Sequence, residues 1–108
     1  MSGNGAGVYE IRCLPIGWSY VGATTIPVGM RWRQHRTQLN CCKHYNRELQ
    51  ADWLRFGEEA FVVVVLCKVP WSYGNPKIKP FLREREIYWV KQVKKKGGCY
   101  NVQLIQYV

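Results

Sequence analysis

The sequence predicts an α/β protein of the α+β type: a small three-stranded antiparallel sheet flanked by about three helices. Three observations carry this. Gly7-Val8-Tyr9 and Tyr20-Val21-Gly22 mirror each other across an interval that suits one β-hairpin, with its turn at Pro15-Ile16-Gly17. The run Ala60-Phe61-Val62-Val63-Val64-Val65-Leu66-Cys67 is the clearest further strand. Elsewhere, apolar residues recur at helical spacing.

The elements follow in order. Residues 8–13 and 18–23 are rich in aromatic and β-branched residues and form the hairpin. After Thr24-Thr25-Ile26-Pro27, Val28, Trp32 and Leu39 fall on one helical stripe, with His35 in the gap where a fourth apolar residue is expected. A second helix is predicted over 45–56, with Leu49, Trp53 and Phe56 on one face, Asn46 near its start and Gly57 as terminator. The β-branched strand is expected in the sheet core, buried on both faces. Pro70, Pro76 and Pro80, with Gly74 and Asn75, predict an irregular loop whose Trp71, Lys77 and Lys79 are placed toward a substrate. A third helix over 81–95 turns Leu82, Trp89, Val90 and Val93 inward, carries Lys91, Lys94 and Lys95 near its C-terminal end and stops at Gly97-Gly98. Residues 99–108 alternate enough for a short final strand.

With 108 residues there is room for one domain, spanning 1–108. The 47% hydrophobic and 14% aromatic content argues for a folded chain. No apolar stretch is long enough for a membrane span, and the first residues lack the character of a signal peptide, so neither a membrane partner nor secretion is expected. A net charge of +9 favours a polyanionic partner, nucleic acid above all, against the plainer reading of a soluble basic surface. Up to Arg47 the only carboxylate is Glu10, so Arg31, Arg33, Arg36 and Lys43 are the expected phosphate contacts. Five cysteines form no C-x-x-C pair, which predicts reduced thiols in a cytoplasmic setting. A zinc site at Cys41-Cys42-Lys43-His44 would need distant ligands, so free, partly buried thiols are expected.

Glu86 is the most diagnostic single residue, because helical spacing sets it among Leu82, Trp89, Val90 and Val93. A carboxylate there needs either a guanidinium or a metal ion. Arg31 and His35, one helical turn apart, share a face and could reach a common phosphate; for His35 a satisfied place in the core is the other reading. By the same reasoning His44 is a surface residue. Tyr9 and Tyr20 either pack with hydrated hydroxyls or, beside an arginine and a metal, supply a phenolate that deprotonates water. With Glu86 alone so placed and only two histidines, a carboxylate-rich two-metal site and a ββα-metal site are both disfavoured.

Taken together, these residues resemble the GIY-YIG nuclease superfamily over residues 7–101. Gly7-Val8-Tyr9 and Tyr20-Val21-Gly22 look like its two signatures. Arg31-Trp32-Arg33-Gln34-His35 is similar to its arginine and histidine segment, Glu84-Arg85-Glu86-Ile87-Tyr88-Trp89 to its glutamate helix, and Tyr100-Asn101 to its closing asparagine. His44 and the Phe56-Gly57 turn are most similar to the catalytic domain of phage intron-encoded homing endonucleases. Both signatures carry valine for isoleucine, which retains β-branching. The resemblance implies the GIY-YIG fold and metal-dependent hydrolysis of DNA to 5′ phosphate and 3′ hydroxyl ends.

In that scheme Glu86 holds one divalent ion, Mg2+ or Mn2+, and Tyr9 is the general base. Tyr20 orients water or the hydrated ion, Arg31 clamps the scissile phosphate, and His35 positions the Tyr9 hydroxyl or accepts its proton. His44 and Asn101 are supporting members. The alternatives are a structure-specific repair or recombination nuclease and a noncatalytic nucleic-acid-binding module. Homing members generally carry a separate DNA-recognition region beyond the catalytic domain, so this module is expected to act alone or to borrow recognition from a partner. The chain is expected wherever DNA is reached, in cytoplasm, nucleoid or nucleus. Sequence preference and oligomeric state leave no legible signature.

Overall fold

A computed structural model describes residues 5–101. Strands β1 (Gly7–Cys13) and β2 (Trp18–Thr24) form the predicted antiparallel hairpin, closed by the Gly17 N–H donating to the Cys13 carbonyl at 2.9 Å, with Gly17 at φ 70°. Helices α1 (Val28–Asn40) and α2 (Arg47–Phe56), a short 3₁₀ turn (Glu58–Ala60), strand β3 (Phe61–Lys68) and helix α3 (Ile78–Lys96) follow. No described helix is long and apolar enough to cross a membrane.

The sheet order is β2-β1-β3, all antiparallel. This corrects the place expected for the β-branched run. β3 is an edge strand with Val62 and Val65 exposed, and β1 is the central one. Only one strand of three can be flanked on both sides, and α3 packs across β2 and β1 rather than over β3. Hydrophobicity alone did not reveal this, because an edge strand and a central one use the same β-branched residues.

The two faces of β1 feed two cores. Tyr9, Ile11 and Cys13 pack with Leu39 of α1 and Leu49 and Trp53 of α2. Val8, with Val21 of β2, packs against Ile78, Leu82, Val90 and Val93 of α3. Burying each such aliphatic side chain contributes about 1.5–3 kcal/mol. On the α3 side Glu10 is also buried. Burial by itself would raise its carboxyl, but hydrogen bonds from Arg12 and from the Ser19 hydroxyl (2.5 Å) outweigh that and hold it below the ordinary carboxylate range.

Helix boundaries follow local chemistry. The α1 start is fixed by Pro27 and by the Val28 N–H donating to the Gly5 carbonyl at 3.0 Å. Asn46 caps α2, its side-chain oxygen accepting from the Leu49 N–H at 3.0 Å, so this helix begins at Arg47 rather than Tyr45. α3 begins at Ile78, three residues before the predicted start, and takes Pro80 into its first turn, where a missing N–H costs nothing. It ends at Gly97, as expected. Of the predicted final strand, Cys99 forms one parallel bridge to Ser19, and residues 102–108 lie outside the described residues. Cys41 and Cys42 are exposed, not partly buried.

Candidate active site

The hairpin register places Tyr9 opposite Gly22 and Ile11 opposite Tyr20, so the two phenols are diagonal neighbours on one face. The Tyr9 ring lies across Gly22: a Cβ there would stand 2.5 Å from the Tyr9 hydroxyl oxygen. The glycine of the second tripeptide is thus the space that the tyrosine of the first occupies. On the other side, the β1–β3 register shifts between Val8 and Tyr9, a bulge at the point where the chain presents this side chain.

α1 carries His35 against both tyrosines, fully buried as its place on the apolar stripe predicted. Its Nε2 lies 2.6 Å from the Tyr9 hydroxyl and its Nδ1 2.7 Å from His44 Nε2. His44 is therefore no surface residue: it is 6% exposed, edge to edge with His35 along this hydrogen bond, ring centroids 5.0 Å apart. Helical periodicity could not reveal this, since His44 sits in the turn between α1 and α2, where no period applies.

The direction of this chain follows from its far end. The Asn46 backbone N–H donates to His44 Nδ1 at 3.1 Å, so neutral His44 carries its proton on Nε2 and donates to His35 Nδ1. Neutral His35 then carries its proton on Nε2 and donates to the Tyr9 oxygen. Both rings are neutral: burial, with the Arg31 charge adding to it, lowers His35 to about 3 and His44 to about 4. Of the two roles expected for His35, the hydrogen bonds select positioning; an imidazole whose Nδ1 already accepts a proton donor has no lone pair free for the Tyr9 proton.

These depressed values have a consequence for stability. Below the ordinary histidine value near 6.5 the unfolded chain binds protons at both rings, while the folded chain does not until about 4 and 3. Stability is therefore expected to be fully present above about pH 6.5 and to fall as pH drops from there to about 3. Urea midpoints measured across that interval check this, and a flat profile refutes it.

Arg31, partly buried and one turn before His35, acts on the Tyr9 phenol through its charge. Burial pushes Tyr9 and Tyr20 well above the ordinary phenol range; Arg31 pulls Tyr9 back, while the Glu86 charge raises both. Glu86 itself is 8% exposed on the inner face of α3, as the helical spacing predicted. Tyr9, Tyr20, Arg31, His35, His44 and Glu86 are thus brought together.

Other expected members lie elsewhere. Asn101 clamps the scaffold: its side chain accepts from the Val21 N–H and donates to the Val21 carbonyl, both at 2.8 Å, so it serves β2 as a neighbouring strand would. Arg33 and Lys43 are exposed. Arg36 is engaged by Glu58 at 3.4 Å and by the Trp32 ring at 5.8 Å. Two residues without an assigned place in the site from sequence are Asn46, which orients the histidine chain, and Tyr45, whose hydroxyl bonds that of Tyr20. Their signal was adjacency to His44 just ahead of a helix cap.

Among the described residues no three of His, Cys, Asp and Glu converge as metal ligands. Glu86, the carboxylate that faces the phenols, fits a hard divalent ion, which it would hold through oxygen.

The GIY-YIG catalytic domain profile matches residues 5–101, and with it this sheet, its two tyrosines, the buried histidine pair and the glutamate on α3 fall into a class of nuclease domains. The chain belongs to the GIY-YIG family. It is similar to Intron-associated endonuclease 1 of Enterobacteria phage T4, at 27% identity over 97 residues, which cover 90% of this chain and 36% of that protein. The chain therefore spans about a third of the length of that relative. Its fold is similar to the catalytic domain of the homing endonuclease I-TevI and to a glutamate-to-alanine mutant of it. Both superpose with TM-score 0.76 at 26% identity, over 91% of this chain and 98% and 93% of theirs.

Proposed function

We propose that this chain is a DNA endonuclease module that hydrolyses phosphodiester bonds with the help of one divalent ion, leaving 5′ phosphate and 3′ hydroxyl ends. The observation that carries the reading is the hydrogen-bond chain Asn46–His44–His35–Tyr9 ending beside Arg31 and near Glu86. The His35 Nε2–H donates to the Tyr9 oxygen, and the Arg31 charge acts on the same phenol; both favour its phenolate. In that form Tyr9 takes a proton from the attacking water. Arg31 clamps the scissile phosphate and balances the charge that develops in the transition state. Tyr20 orients the water. Glu86 would hold the ion, Mg2+ or Mn2+, which when bound favours the phenolate and stabilises the leaving 3′ oxygen. Exposed Arg33 and Lys43 supply phosphate contacts along the DNA backbone.

Supercoiled plasmid incubated with the protein and magnesium or manganese tests this, beside Arg31→Ala and Glu86→Ala. The wild type is expected to nick, and each variant to lose at least about a hundredfold in rate. Equal nicking by all three proteins sinks the assignment. Salt-sensitive binding without cleavage by the wild type would instead mark a binding module. Comparing linear, branched and flap substrates separates a homing-like preference from a structure-specific one.

A further inference from the structure

We infer that Tyr45 is a further functional residue of this site, a positioning residue that holds the Tyr20 hydroxyl and backs the histidine pair. The inference rests on the nuclease reading above and extends it to a side chain to which that reading gives no role.

Tyr45 stands at the mouth of the site. It is 60% exposed, yet its ring is held on more than one side. Its hydroxyl hydrogen-bonds that of Tyr20, a buried member of the hairpin pair. Its face stacks on His44 with centroids 4.4 Å apart and 23° between planes, and His44 is joined edge to edge to His35 through their hydrogen bond. Tyr45 thus covers the face of His44 from the solvent side, and His44 hydrogen-bonds the ring that touches Tyr9.

The backbone beneath Tyr45 is fixed independently. The next residue, Asn46, is buried, caps α2 through Leu49 and donates its side-chain amide to the Tyr100 carbonyl at 2.8 Å. A tyrosine kept for packing buries its ring. This one leaves much of its ring in water and spends its polar end on a phenol of the reacting cluster. Tyr20 can orient water only if its own oxygen stays in place, and the Tyr45 hydroxyl bonds that oxygen directly.

The ring and the hydroxyl can be separated experimentally. Tyr45→Phe keeps the stack on His44 and removes the bond to Tyr20; because the Tyr45 end is open to solvent, water can take the lost hydroxyl's place and the melting temperature should fall only slightly. Its kcat for plasmid nicking is expected to fall about five- to tenfold, the worth of one neutral hydrogen bond, with KM unchanged. Tyr20→Phe combined with Tyr45→Phe should be no slower than Tyr20→Phe alone, because both remove the same bond. A wild-type kcat in Tyr45→Phe, or penalties that multiply in the double variant, overturns the inference.

Proton NMR of the full chain reads the bond without turnover. A protected hydroxyl resonance should vanish in both Tyr20→Phe and Tyr45→Phe and persist in Tyr73→Phe, which changes an exposed tyrosine in the β3–α3 loop; its survival in Tyr45→Phe also overturns the inference. A wild type that never nicks sinks the nuclease reading and the role of Tyr45 with it. A wild type that nicks beside an unimpaired Tyr45→Phe sinks the role of Tyr45 alone.

Discussion

Tyr9→Phe is expected to lower plasmid nicking by about 10²–10⁴-fold, the usual contribution of a positioned general base. The substitution removes one oxygen and leaves the ring across Gly22, so the sheet register should hold. That oxygen, however, is where the histidine chain ends. Without it the buried His35 Nε2–H loses its acceptor, which costs about 1–3 kcal/mol of stability. Activity must therefore be measured well below the melting transition, with circular dichroism confirming the fold. A rate within about threefold of wild type would remove Tyr9 from the chemistry. The same geometry predicts that phenylalanine here is worse than the loss of a mere surface hydroxyl, because the histidine chain is polarised toward this one atom.

The second large effect concerns folding. Gly7→Ala is expected to destabilise the protein by about 3 kcal/mol or more, toward the upper end of overpacking penalties. A Cβ on Gly7 would stand 2.1 Å from the Cys67 carbonyl oxygen, and that oxygen belongs to the β3 backbone, not to a side chain that can swing away. β1 would have to separate from β3 next to the bulge that presents Tyr9. Urea unfolding measures the loss directly. A change under about 1 kcal/mol would show that β3, as an edge strand, yields more easily than its pairing implies. The two tripeptides thus need glycine for different reasons. At Gly7 a backbone approaches, and at Gly22 the partner tyrosine lies.

Much of this architecture was legible in the chain because it is written in local periodicity. Alternating and β-branched residues marked the strands, and the stripe through Val28, Trp32 and Leu39 placed His35 indoors before any fold was known. Glu86 was legible in the same way: a carboxylate at an apolar helix position declares itself by being out of pattern. Pro80 misled the start of α3 because proline breaks a helix interior but suits a first turn, and neighbouring residues alone do not distinguish the two. His44 had no periodic neighbourhood to be read from, and Tyr45 was hidden in the same turn.

By itself the sequence determined the identity and extent of most elements, the pairing of two tyrosines on one hairpin face and the inward placement of His35 and Glu86. Only the tertiary structure decided that β1 lies between β2 and β3, that Asn101 serves the backbone of Val21 80 residues away, and that one backbone N–H at Asn46 orients a chain of protons ending at Tyr9. The physical reason is range. Helix and strand periods are set by residues a few positions apart, whereas the direction of a buried hydrogen-bond chain depends on which distant segments come within 3 Å or so of one another when the cores close.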